Sequence, residues 1–380
     1  MTGRRLHIVV ATSTRADWGL LSPVAAELQR RGAEITVAAT NMHLLPQTGM
    51  TVSEIEADGF TPVRIPVSGN HAAITAGCIT GFHKLLSQVE PDAIIILGDR
   101  FEMTGVAQAA VLAGVPIVHI AGGAVSYGAF DDCFRHAITK MSYLHLAETE
   151  QYRRRIIQMG EDPQRVVTTG AIGIHNIMSV TPMPLESLEQ SLGFSLGSNT
   201  LLVTQHAATL SSLPPEEQYS NLLAALDRFP DRNILFTYPN NDVDPTPLTA
   251  MIEDYARSNP KRVHAVPSLG RVRYLSALRH VEAVVGNSSG GIVEVPSMGI
   301  PTLDIGHRQD GRTHAASVIR CGETADEIAA GLRTVLSPET KAVAATCDNP
   351  YARPDTLALM TDTILSTHFS PYPVKRFYDF

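Results

Sequence analysis

At 380 residues the chain is longer than one hydrophobic core comfortably supports, which predicts two domains. Its 44% apolar and 18% charged residues exclude a disordered chain, and a net charge of −8 excludes a broad polyanion-binding surface. Four cysteines, Cys78, Cys133, Cys321 and Cys347, lie far apart without a CxxC pair, so neither a disulfide framework nor a zinc site is expected.

Residues 1–6 lead straight into a predicted strand at 7–11, leaving no room for a signal peptide, and every apolar run is far short of a membrane span. A cytoplasmic protein without membrane or nucleic-acid partners is expected. A helical stretch at 20–31 follows, then strands at 34–39 and 93–97, a helix at 103–113 and a strand at 116–120. Near-continuous apolar strands alternating with helices predict a parallel sheet covered on both faces. A helix is predicted over 134–146. Val180-Thr181-Pro182-Met183-Pro184 then breaks regular structure, placing the domain boundary within 177–190. The rhythm restarts with strands at 201–204, 233–236, 262–265, 283–285 and 301–304. The predicted organisation is therefore a Rossmann-like domain over 1–180, a second over 190–355, and a helix within 356–380 (at 356–367) crossing back to the first. In such α/β folds ligands bind beyond the carboxyl ends of the strands, which puts the expected site in a cleft between two facing domains.

The strand ends carry the chemistry. The first ends in Thr12-Ser13-Thr14-Arg15-Ala16-Asp17, where Arg15 either forks onto a phosphate or caps a surface loop. The strand at 93–97 ends in Gly98-Asp99-Arg100-Phe101-Glu102; Asp99 suits acid/base work or an N-cap. A glycine-punctuated loop from His119 ends in Asp131-Asp132, one carboxylate capping the next helix and the other facing the cleft. In the second half His206 closes a strand, as a phosphate ligand, a proton carrier or a structural histidine. Tyr238-Pro239-Asn240-Asn241-Asp242 closes the next. Gly286-Asn287-Ser288-Ser289-Gly290-Gly291 enters a helix, with Glu294 about one turn in and Arg308 and Arg312 beyond the following strand. Small residues and hydroxyls at a strand-to-helix turn admit an anion, and a carboxylate there accepts from ribose hydroxyls, so this stretch reads as a nucleotide-diphosphate cradle. No GxGxxG, P-loop, HExxH or GxSxG pattern is present, which argues against dinucleotide oxidoreductases, P-loop NTPases and serine hydrolases. No metal-ligand spacing is evident, and no cofactor is expected.

Taken in order, Thr14 to Asp17, Gly98 to Glu102, Asp131-Asp132 through Lys140, Gln205-His206, Pro239-Asn240, Gly286 to Ser289 and Gly306 to Arg312 resemble the UDP-N-acetylglucosamine 2-epimerases, most closely the hydrolysing branch. The resemblance implies two Rossmann-like domains in a GT-B-like arrangement, a homo-oligomer (dimer or tetramer) and a UDP-sugar substrate. It implies elimination of UDP to a 2-acetamidoglucal and inversion at C2, giving N-acetylmannosamine plus UDP or UDP-N-acetylmannosamine. Arg15, Arg100, Asn240, Gly286, Ser288, Ser289 and Arg308 are then the expected UDP-binding residues with His206, Glu294 holds the ribose, and Asp99, Asp131, Glu102 and His206 form the catalytic set. The family pattern His-Ile-x-Gly-Gly-Glu is broken here by Ala121 and Ala124. That departure implies that Asp99, Asp131 or Glu102 takes over both proton transfers, or that a modified substrate is used with Tyr127 filling the vacated space or acting at C2. The alternatives left open are a UDP-sugar hydrolase that keeps the C2 configuration and an inactive nucleotide-sugar-binding protein.

Overall fold

The computed structural model describes residues 5–127, 130–208, 211–240, 244–369 and 374–379. Asn241 and Asp242 lie outside them. The chain forms two compact units, one of Met1–Ala124, Asp131–His175 and Arg353–Phe380, the other of Val125–Phe130 and Asn176–Ala352. Pro182 and Pro184 sit between the helices Ile172–Ser179 and Leu185–Leu192.

The first unit is built on β1 (His7–Thr12), β2 (Glu34–Thr40), β3 (Val63–Ile65), β4 (Ala93–Leu97), β5 (Ile117–Ile120), β6 (Leu144–Ala147) and β7 (Val166–Thr168). They form one parallel sheet in the order β3-β2-β1-β4-β5-β6-β7. Side chains alternate across a strand, so the Ile94-Ile95-Ile96-Leu97 run serves two cores. Ile95 and Leu97 join Trp18, Leu21 and Leu28 on one face, while Ile94 and Ile96 join Phe82, Met103 and Val106 on the other. The helix Thr356–Ser366 belongs to this unit. Its Met360 and Ile364 enter the Trp18 core, and Arg31 bonds Thr361 Oγ1 at 2.9 Å and pairs with Asp362 at 2.6 Å. Further along, Lys375 reaches buried Glu161 at 2.8 Å, which also accepts from Lys140 (2.7 Å) and pairs with His145 (3.0 Å).

The second unit carries β8 (Thr200–Thr204), β9 (Asn233–Thr237), β10 (Val263–Val266), β11 (Ala283–Gly286), β12 (Thr302–Ile305) and β13 (Val318–Cys321), all parallel in the order β10-β9-β8-β11-β12-β13. Each sheet thus reverses its strand order once, between β1 and β4 and between β8 and β11.

The helix expected over 134–146 is corrected: it runs Asp131–Met141, and residues 144–147 are β6. Histidine at 145 disguises that strand, since its ring is buried against Glu161 instead of facing water. Strands β3, β7 and β13, three or four residues each, carry too little pattern to be read beforehand. Among the described residues, no helix is long and apolar enough to cross a membrane.

Candidate active site

In the first unit the strand-order reversal brings the ends of β1 and β4 together. Thr14 caps the helix Arg15–Arg30 through a capping box with Asp17, whose carboxylate also accepts from Ser13 Oγ at 2.9 Å. Burial raises the Asp17 pKa against the opposing pull of Arg100. Arg15 is the first residue of that helix and is exposed. Glu102, wholly buried, accepts from Arg100 Nε at 2.8 Å and Asn41 Nδ2 at 2.9 Å. Burial opposes its ionisation, but Arg100 and Asn41 keep its pKa below the ordinary value. Its carboxylate holds the Arg100 head group, which is itself partly exposed.

Asp99 is set by two supports that the sequence does not advertise. Gly98, at φ +74°, gives its carbonyl to His119 Nε2 (2.8 Å), so that nitrogen carries the proton. Burial takes His119 down to about 3, so the ring is a neutral donor. Arg135, 1% exposed, donates to the Asp99 carboxylate, to Asp132 Oδ1 (3.2 Å) and to the Ala124 carbonyl (3.1 Å). Asp131 opens the helix, partly exposed. Ala121 holds a left-handed φ of +62°, and the Ala124 methyl is buried, so neither supplies a proton carrier.

In the second unit Asn287 joins the two strands at the reversal. Its Oδ1 accepts from the His206 N–H (2.8 Å), its Nδ2 donates to the His206 carbonyl (2.9 Å), and its own N–H reaches Thr204 O (3.2 Å). The Asn287 carbonyl accepts from Gln309 Nε2 (2.8 Å) and Arg308 Nη1 (3.3 Å), which draws the loop after β12 onto the end of β11. Gly286 has φ +130°, and a Cβ there would overlap the Thr204 carbonyl oxygen, so only glycine fits. His206 Nδ1 accepts from the Asn240 N–H at 3.0 Å, which leaves the proton on Nε2. Burial first, and Arg308 second, push this ring down to about 3. His206 is therefore a neutral N–H donor, a form suited to hydrogen-bonding a phosphate oxygen.

Ser288 caps the helix Ser289–Val293 with its backbone, and its side chain makes no capping bond. That helix is only five residues long, so Glu294 lies at its C-cap and not one turn inside a longer helix. A Cβ on Gly290 would come 3.3 Å from Glu294 Oε2 and 3.2 Å from Tyr274 Oη, which shows how closely carboxylate and phenol flank this turn. Arg312 Nη2 donates to Ser126 Oγ (3.3 Å) and the Tyr127 N–H to Asp310 O (3.3 Å), seating residues 125–127 on the arginine loop. Among the described residues no group of three or more His, Cys, Asp or Glu could hold a metal ion.

Two Rossmann-like units, each gathering arginine, histidine or carboxylate side chains where its strand order reverses, make up a GT-B-like fold. The family model described as UDP-N-acetylglucosamine 2-epimerase matches residues 26–365, and the chain belongs to that family. It is 33% identical over 326 residues to the GDP/UDP-N,N'-diacetylbacillosamine 2-epimerase (hydrolyzing) of Campylobacter jejuni, covering 84% of each chain. It is 31% identical over 318 residues to the UDP-N-acetylglucosamine 2-epimerase of Neisseria meningitidis serogroup B, covering 82% of this chain and 83% of that one. The fold is shared with a Neisseria meningitidis UDP-GlcNAc 2-epimerase bound to UDP-GlcNAc, at TM-score 0.83 and 18% identity, over 95% of this chain and 100% of that one.

Asn287 and Arg135 are prominent here without having been singled out as site residues. Asn287 was readable as the one amide inside a run of small residues. Arg135 carried no such signal, because an arginine on a polar helix ordinarily faces water.

Proposed function

We propose that the protein is a hydrolysing 2-epimerase acting on a UDP-activated 2-acetamido sugar, either UDP-N-acetylglucosamine or a 4-acetamido relative. The neutral Nε2–H of His206, fixed by the Asn240 N–H beside the Asn287-ordered turn, is the observation that carries this reading. A diphosphate needs fixed donors that do not compete as acids. His206, Ser288, Ser289 and Arg308 supply them from the second unit, with Gly286 and Asn240 giving close backbone approach. Glu294 accepts from the ribose. Arg15 and Arg100 add positive charge from the first unit, and Glu102 acts through Arg100. Two relatives at 32–33% identity, both hydrolyzing 2-epimerases, favour release of UDP.

C2–H of a sugar is barely acidic, so departure of UDP must run ahead and build positive charge at C1. A carboxylate then takes the C2 proton, closing the double bond of a 2-acetamidoglucal. Water adds at C1, and a proton delivered to the opposite face of C2 inverts that centre. Asp99 and Asp131 take these proton transfers, with Arg135 fixing the aim of Asp99.

The buried methyl of Ala124 favours a second reading, a UDP-sugar hydrolase that leaves C2 untouched. Loss of a general acid or base costs about 10²–10⁴ in rate. Proton NMR of the reaction with UDP-N-acetylglucosamine in D₂O separates the two. Deuterium at C2 of a manno-configured product with free UDP is expected. UDP release without C2 exchange would replace epimerisation by plain hydrolysis, and retained UDP on an inverted sugar would move the enzyme to the non-hydrolysing branch.

A further inference from the structure

Asp304 is a buried charge that the reaction above leaves unused. It lies on β12 in register with Gly286 of β11 on one side and Arg320 of β13 on the other. Two residues earlier, Thr302 Oγ1 donates to the Gly291 carbonyl at 2.8 Å, so this face of β12 lies beneath the helix Ser289–Val293. Alternation puts Asp304 on that same face, one step nearer the strand's carboxyl end. Gly286 contributes no side chain between it and Thr204. The Asp304 side chain is 1% exposed, and among the described residues no donor meets either carboxylate oxygen in good hydrogen-bond geometry. Its nearest cation is Arg320 Nε, 3.5 Å from Oδ2. Arg320 also pairs with Asp310, whose Oδ2 accepts from His307 Nδ1 at 2.9 Å. Arg308 and Arg312 act on the carboxylate through space.

A buried carboxylate whose nearest donor stands as far off as 3.5 Å is costly unless nearby cations offset it. For strand packing alone, an apolar side chain would be cheaper at a position this deep. We propose that Asp304 is a positioning residue for the diphosphate: a buried counter-charge behind Arg308, Arg312 and Arg320 that sets how tightly the arginine loop holds its anion. This rests on the reading of the second unit as the UDP-binding half. Three guanidinia face two carboxylates, Asp304 and Asp310. A diphosphate arriving on Arg308 brings like charge toward Asp304, weakening its own hold while Asp304 is ionised and favouring proton uptake by that carboxyl. Product release is thereby eased.

Burial raises the Asp304 pKa to about 6 against the pull of Arg320, Arg312 and Arg308, so the effect falls in an accessible range. The other charged or titratable groups around it are Cys321 across β13, His307 and Asp310 on the loop, and Glu323, whose carboxylate lies against Gly306 just past the end of β12.

Isothermal titration of UDP into the wild type and Asp304→Asn, from pH 5.5 to 8 in two buffers of different ionisation enthalpy, tests this. The titration of UDP itself is common to both proteins and cancels in their difference. The wild type is expected to take up additional protons near neutrality. Asp304→Asn is expected to bind UDP roughly tenfold tighter at pH 8, the equivalent of one pKa unit of coupling, and equally at pH 5.5. Arg320→Gln, which keeps Asp304 but removes its nearest cation, should move the midpoint of proton uptake upward, and it tests the idea even if Asp304→Asn fails to fold. Equal proton uptake in wild type and Asp304→Asn, weaker binding by Asp304→Asn at every pH, or an unmoved midpoint in Arg320→Gln would each overturn the proposal. A wild type that binds no UDP would instead overturn the nucleotide reading beneath it.

Discussion

Replacing Arg135 by methionine keeps the bulk of the side chain and removes a guanidinium that serves Asp99, Asp132 and the Ala124 carbonyl at once. A fully buried ion pair broken on one side costs about 3–5 kcal/mol. Asp99 and Asp132 are 26% and 24% exposed, so water recovers part of that loss, and methionine packing recovers a little more. The net expectation is a destabilisation of about 2–3 kcal/mol. Trp18, the one tryptophan in the chain, is buried in the core of the first unit, so its fluorescence in a urea titration follows that unit alone. Arg135→Lys, able to serve only part of the set, should fall between. Turnover should drop about a hundredfold in Arg135→Met with little change in UDP affinity, because Asp99 loses its aim while the phosphate donors are untouched. A urea midpoint equal to that of the wild type, or an undiminished rate, would refute the view that this arginine organises the carboxylates.

Acid should loosen the first unit through its buried histidines. His43 and His119 are held neutral by burial, at about 4 and about 3, whereas in the unfolded chain they titrate near 6.5. The unfolded state then binds more protons below pH 6.5, so stability is complete above that value and falls as the pH drops toward 4. Two such groups give a slope of about 2.7 kcal/mol per pH unit near pH 5. Trp18-monitored urea midpoints between pH 8 and 5 check this, and a flat profile would contradict it. Gly286→Ala should abolish UDP binding or prevent the second unit from folding, since its Cβ overlaps the Thr204 carbonyl; a wild-type titration curve would show that the β11 turn is less constrained than drawn.

The two-layered sheets were legible because runs such as Ile94 to Leu97 are apolar on both faces, a pattern only a covered parallel strand requires. The strand-end residues were legible for the same reason, as polar groups directly following such runs: Asp99 after β4, His206 after β8, Gly286 to Ser289 after β11. Lost to inspection were residues whose partners come from distant sequence. Arg135 meets Asp99 across 36 positions, and His206 meets Asn287 across 81, so neither bond leaves a local spacing to read. Asp304 hid for the opposite reason, sitting inside an apolar strand whose hydrophobic neighbours mask one buried charge.

The helix Thr356–Ser366 closes the Trp18 core from 330 positions away, the separation between Arg31 and Thr361. During synthesis at about 5–20 residues per second, the core that emerges first must wait roughly a quarter of a minute to a minute for that helix, with that side of Trp18, Leu21 and Leu28 uncovered meanwhile. The unit emerging second is continuous from Asn176 to Ala352 apart from its short loop from earlier in the chain. It can mature first, leaving the amino-terminal sheet as the stage at which a nascent chain depends most on chaperones.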